Sequence, residues 1–90
     1  MATVIARLAV EDFDGWFAEY ESMHAKRATF GDRGHTLYRD TADPHTIVVV
    51  FEWDSHENAR AYFGSDVLKD SVGRARGKAA PDVLYLDHVS

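Results

Sequence analysis

From Thr3 to Val10 the chain is β-branched and aliphatic with Arg7 as its one charge, and the acidic pair Glu11-Asp12 closes the run. Such a stretch predicts a short, mostly buried strand. Phe13, Trp16, Phe17, Tyr20, Met23 and Ala28 then recur at steps of three and four residues, with Asp12 and Asp14 available as N-caps. That spacing predicts one amphipathic helix of about four turns over Asp14 to Thr29. Gly31 and Gly34 bracket a turn, His35 to Asp40 alternates loosely as a second strand, and Asp43-Pro44-His45 closes a hairpin. Thr46 to Trp53 is the clearest strand, because Ile47, Val48, Val49, Val50 and Phe51 leave no polar face, and it is expected at the centre of a sheet. Asp54 with Glu57 resembles a capping box, starting a second helix with Ala59, Tyr62 and Phe63 on one side. Gly64-Ser65 interrupts it, and Asp66 is expected to cap a further turn with Val67, Leu68 and Val72 inward. A loop over Gly73 to Asp82, with its tip at Lys78-Ala79-Ala80, precedes a fourth strand over Val83 to Val89.

The order βαββαβ is the split arrangement of the ferredoxin-like fold, an α+β class with two helices on one face of a four-stranded antiparallel sheet. It leaves a physical problem on the other face. Ile5, Ala9, Val48, Val50, Leu84 and Leu86 fall there by strand parity, and an apolar patch of that extent is seldom left in water. A second copy of the same patch covers it most simply, since a two-fold interface is self-complementary. The expectation is a homodimer formed through the sheet.

Ninety residues make one domain, 1–90, with no room for separate cofactor and substrate domains. At 46% hydrophobic and 28% charged the chain can form a core. A net charge of −5 with scattered Lys and Arg gives no stripe for phosphates, so nucleic acid is not an expected partner. The lack of cysteine excludes disulfides, thiolate metal sites and cysteine nucleophiles together. No basic n-region precedes a long apolar run, and nothing approaches the ~20 apolar residues of a membrane span, so the expected location is the cytoplasm.

Candidate chemistry gathers at one end of the predicted helix and sheet. On a helical wheel Arg27 lies about 20° from Tyr20, with His24 about 40° to its other side, inside the sheet-facing stripe. Both could sit in the last turn and reach water, or both could point into a cleft where helix and sheet diverge. Trp53 shares parity with Ile47, Val49 and Phe51 and would lie near Tyr62 if that side faces the helices. His35 and Tyr38 have opposite parities on strand two, so only one of them can face the cleft. His24 and His35 are candidate acids or bases, and Arg27 and Tyr38 are candidates to stabilise an enolate. Tyr20, Trp53 and Tyr62 are the candidate binding surface for a small aromatic or hydrophobic molecule. His45, His56 and His88 fall at a turn, a helix start and a strand end, where structural roles are expected. No phosphate loop, nucleophile elbow or metal-ligand spacing is present, so no cofactor and no metal are expected.

The chain resembles the dimeric α/β-barrel superfamily, particularly the small antibiotic-biosynthesis monooxygenases and proteins labelled cyclases. The resemblance is carried by Val10-Glu11-Asp12-Phe13-Asp14-Gly15-Trp16, by Tyr38-Arg39-Asp40 before Asp43-Pro44, and by Phe51-Glu52-Trp53-Asp54-Ser55 leading into Ala59-Arg60-Ala61-Tyr62-Phe63. It implies a pocket between helices and sheet that takes a flat aromatic substrate without flavin or metal. Trp53 matches the Trp of the monooxygenase pattern, but Val49 stands where that pattern has Asn. Acid–base cyclisation of a polyketide-like substrate is therefore the leading expectation, with cofactor-free oxygenation second and a non-catalytic ligand-binding dimer third. Haem breakdown is not expected, because Tyr62 and Phe63 stand where haem-degrading relatives carry an axial His.

Overall fold

The computed structural model describes residues 1–66, 68 and 81–90. Strands β1 (Ala2–Ala9), β2 (Asp32–Arg39), β3 (Thr46–Trp53) and β4 (Asp82–Leu86) form one sheet, and helices α1 (Phe13–Ser22), α2 (His24–Phe30) and α3 (His56–Phe63) accompany it. The spatial order is β2-β3-β1-β4 with every neighbouring pair antiparallel. This is the expected ferredoxin-like arrangement, with β1 and β3 at the centre where their near-continuous apolar runs require burial. Among the described residues, no helix is long and apolar enough to cross a membrane.

The boundaries differ from the expected ones in physically informative places. The single helix expected over Asp14 to Thr29 is two, broken at Met23, whose φ of −90° and ψ of 0° lie outside the helical basin. The Tyr20 carbonyl accepts both the Met23 N–H at 3.1 Å and Nη1 of Arg27 at 2.7 Å. A side chain inserted against a backbone carbonyl is a recognised cause of such a kink. Strand β2 begins at Asp32 rather than His35, with an irregular register between Asp32 and Gly34. The cap of α3 is Ser55, whose Oγ accepts the Asn58 N–H at 3.1 Å, while Asp54 accepts the Asn58 side-chain amide at 2.9 Å instead. Strand β4 ends at Leu86, short of the expected Val89. Val67, Val72 and the predicted Lys78-Ala79-Ala80 loop tip lie outside the described residues.

Alternation sorts the sheet into two faces. Val4 and Ala6 from β1, with Ile47, Val49, Phe51 and Trp53 from β3, are buried together with Trp16, Tyr20, Ala59 and Tyr62 of the helices. Each fully buried aliphatic or aromatic side chain of this set contributes about 1.5–3 kcal/mol. On the opposite face Ile5 stands across from Val50 on one side and Leu84 on the other. Leu84 is 57% exposed and Leu86 37%. Polar contacts flank this apolar row, with Thr3 Oγ1 donating to Glu52 at 3.1 Å at one end and an exposed Arg7–Asp82 pair at 3.2 Å at the other. Ile5, Arg7, Val48, Asp82 and Leu84 help line a hollow of about 530 Å³ there.

Candidate functional site

The site is organised by the corner where α2 turns into β2. Gly31 ends α2 with φ of 116°, a conformation that favours glycine, and a Cβ there would collide with the Asp54 carboxylate. The Gly31 carbonyl accepts the Asp54 N–H at 2.9 Å, and the Phe30 carbonyl accepts the Trp53 indole N–H at 2.9 Å. The corner is thus clamped to the end of β3. Trp53 is completely buried, with its ring 5.4 Å from Phe51, 5.4 Å from Tyr62 and 5.7 Å from Phe63.

One residue beyond Gly31, the irregular start of β2 turns Asp32 inward. Its Oδ1 accepts the Gly34 N–H at 2.9 Å. Its Oδ2 meets His35 Nδ1 at 3.1 Å and Arg27 Nε at 3.4 Å. An ionised carboxylate only accepts, so Nδ1 of His35 carries the proton in that contact, which in the neutral imidazole leaves the lone pair on Nε2. Arg27 is 1% exposed, and its guanidinium carbon lies 3.8 Å over the Tyr20 ring. Its Nε is within ionic distance of Asp32 yet not aligned for a hydrogen bond, and among the described residues Nη2 has no well-formed hydrogen bond; the Tyr20 hydroxyl is likewise buried without one.

A cavity of about 60 Å³ lies between the helices and the sheet. Tyr20, Arg27 and Tyr62 line it together with Trp16, Met23 and Phe51. Trp53 stands behind this wall, against Phe51 and Tyr62. His35 is at the rim: its ring touches Tyr20 at 5.5 Å and Phe51 at 6.1 Å, and its side chain is 20% exposed. His24 is exposed, 5.9 Å from the His35 ring, so the two polar residues of the helical stripe part company. Arg27 enters the core and His24 stays at the surface. Tyr38 pairs with Val48 on the open face of the sheet and is 57% exposed. It is therefore separated from this cluster by the sheet, and His35 is the strand-two residue on the cavity side. His45 and His56 bond main-chain carbonyls of Val10 and Leu86, in keeping with structural roles.

Asp32 is the residue of this cluster that the pattern of the sequence did not single out. It lay within a Gly31–Gly34 turn, and only the irregular register of β2 directs its carboxylate inward. Trp16 and Met23 were legible as helix stripe but not as cavity lining.

Burial pushes the Tyr20 phenol well above its ordinary value, opposed by the Arg27 cation and reinforced by the Asp32 carboxylate. Tyr62 is also raised by burial, with Arg27 opposing both by its charge and as a loose hydrogen-bond donor to the phenol oxygen. Both hydroxyls therefore remain hydrogen-bond donors through the neutral and mildly alkaline range.

No family profile and no curated protein sequence match the chain. Solved structures do. A protein described as an antibiotic biosynthesis monooxygenase superposes with a TM-score of 0.74 at 19% identity over all of both chains. A Caulobacter crescentus CB15 protein that carries the same name provisionally gives 0.75 at 22% identity, over 99% of this chain and 90% of that one. A Mycobacterium tuberculosis protein gives 0.68 at 20% identity, over 99% and 95%. The chain thus has the fold of the antibiotic-biosynthesis-monooxygenase-like proteins, as the resemblance in its sequence implied.

The raised tyrosines set a sign for alkaline stability. In the unfolded chain these phenols lose protons near pH 10, while in the fold they hold them. Unfolding then releases protons, so their contribution is fully present below about pH 10 and is lost as pH rises further. The melting temperature is expected to fall above that point, and Tyr20→Phe to make the fall shallower. An identical alkaline slope in the variant, measured by circular dichroism melts, would contradict the burial of an intact phenol.

Proposed function

We propose that the protein is a cofactor-independent enzyme that oxygenates a small phenolic or enolisable aromatic molecule. The observation supporting this best is the Asp32 carboxylate shared between His35 at the rim and Arg27 in the cavity wall. Asp32 orients His35 so that Nε2 is free to accept a proton, the arrangement a general base requires. Arg27 and the protonated phenols of Tyr20 and Tyr62 offer positive charge and donors where an enolate or phenolate oxygen would develop. His35 stands one ring away from the cavity, so a substrate must reach the rim between Tyr20 and Phe51 to deliver its proton.

The stoichiometry needs no added reductant. An activated ring methylene gives up a proton, its carbanion passes electrons to dioxygen, one oxygen atom becomes the new carbonyl and the other leaves as water with the two hydrogens. The same deprotonation would also begin ring closure, the cyclisation expected from the sequence. Between the two, the structural neighbours favour oxygenation, since two of the three named above carry antibiotic biosynthesis monooxygenase names, one of them provisionally.

Oxygen uptake by the purified protein with phenols and anthrone-type ketones, under air and under nitrogen, tests this reading. Oxygen-dependent product is expected, and His35→Ala should lower the rate by ~10²–10⁴-fold. Product formed equally well under nitrogen would point to cyclisation. Binding without turnover under either gas would make the protein a carrier.

In this reading the working unit is a homodimer joined through the open face. Support comes from the row of half-buried Ile5 and Val50 with exposed Leu84 on a single chain, flanked by polar residues. Sedimentation at micromolar concentration is expected to give a dimer. Val50→Asp should weaken it, because each copy would bury a carboxylate without a partner. A folded wild-type monomer would remove this part of the proposal.

A further inference from the structure

The well-formed hydrogen bonds of Arg27 leave one edge of its guanidinium unsatisfied. Nη1 is held by the Tyr20 carbonyl at 2.7 Å, and Nε lies 3.4 Å from Asp32. Among the described residues Nη2 is buried without a well-formed hydrogen bond, the Tyr62 hydroxyl interacting with Arg27 too loosely to satisfy it, and the Tyr20 hydroxyl is buried without a partner; both residues belong to the cavity lining. Buried donors without acceptors are costly and uncommon in folded proteins. Among the described residues, the remaining wall, formed by Trp16, Val49, Phe51 and Phe63 with others, offers no carboxylate to satisfy them. Asp32 is already engaged by Gly34, His35 and Nε of Arg27.

We infer that the cavity is an oxyanion site, in which Nη2 of Arg27 takes the anionic oxygen of an aromatic ligand. This deepens the proposed function and rests on it, since it names the charge state in which the aromatic molecule is held. The ligand class is an aryl phenolate, enolate or carboxylate. Tyr20 and Tyr62 favour this class, because burial keeps both phenols protonated and therefore able to donate. The volume of about 60 Å³ matches about two waters, the size of an anionic head and not of a whole ring. The ring of the ligand requires the wall to repack, and Met23, an unbranched side chain in that wall, repacks at least cost. Two ordered waters are the alternative occupants, and the test separates them from an anion.

Titration of the full-length protein by NMR, following the Arg27 side-chain N–H and the indole N–H resonances, measures affinity without turnover. The probes are 4-nitrophenolate against its neutral ether 4-nitroanisole, and benzoate against benzamide, in mildly alkaline buffer. At least one anion is expected to bind about tenfold or more tightly than its neutral counterpart, as a charge-assisted hydrogen bond in a dry site implies. Preference in the first pair alone identifies phenolate or enolate as the ligand head, and preference in the second alone identifies carboxylate. The double change Arg27→Met/Asp32→Asn removes both charges without leaving one buried alone, and should bring the anion-to-neutral ratio close to one. Tyr20→Phe should reduce the ratio several-fold while the fold persists. Equal binding of the neutral compounds, or an anion preference that survives the double change, overturns the inference and leaves oxygenation of a neutral aromatic standing. Failure of all four probes to bind overturns the inference and, with it, the cavity on which the proposed function relies.

Discussion

A guanidinium sealed beneath a kinked helix must be answered by charge and by hydrogen bonds, and most of the distinctive local structure of this chain supplies those answers. Arg27 draws the Tyr20 carbonyl toward Nη1, and the first helix breaks at Met23 beside it. Asp32 faces Nε because β2 starts with an irregular register and because Gly31 takes a conformation that favours glycine. The corner holding Asp32 is fixed to β3 through the Asp54 N–H and the Trp53 indole. Kink, cap, register and aromatic clamp thus form one connected arrangement around a buried ion pair. Such a pair adds little net stability relative to apolar packing, but losing one partner leaves a buried charge and costs about 3–5 kcal/mol.

The same arrangement divides labour between the faces of the sheet. The helix side holds an aromatic cavity with a cation in its wall and a histidine at its rim. The open side holds an apolar row flanked by polar contacts. In the proposed reading, chemistry on one face and association on the other can therefore change independently.

Most of the architecture was legible in the sequence, because strand parity and helical spacing are set by burial alone. Ile47 to Trp53 announced a central strand, Tyr20 and Trp53 announced the helix–sheet core, and the open apolar face followed from the same parity. What was not legible depended on side chains reaching the backbone. A helical wheel places Arg27 and His24 together, but cannot show that one guanidinium inserts beneath the Tyr20 carbonyl while the imidazole stays outside. Asp32 looked like a turn residue, since an inward carboxylate there depends on a local irregularity of register. Tyr38 was separable from His35 by parity, and the structure decides in favour of His35 on the cavity side.

The coupling between Arg27 and Asp32 tests the centre of this account most directly. Urea unfolding of the wild type, Arg27→Met, Asp32→Asn and the double variant gives that coupling as a double-mutant cycle. If Arg27 and Asp32 form the buried pair around which the site is built, each single change costs about 3–5 kcal/mol and the double change costs far less than their sum. Small, additive losses from the two single changes would mean that both groups are solvated, and would contradict the account.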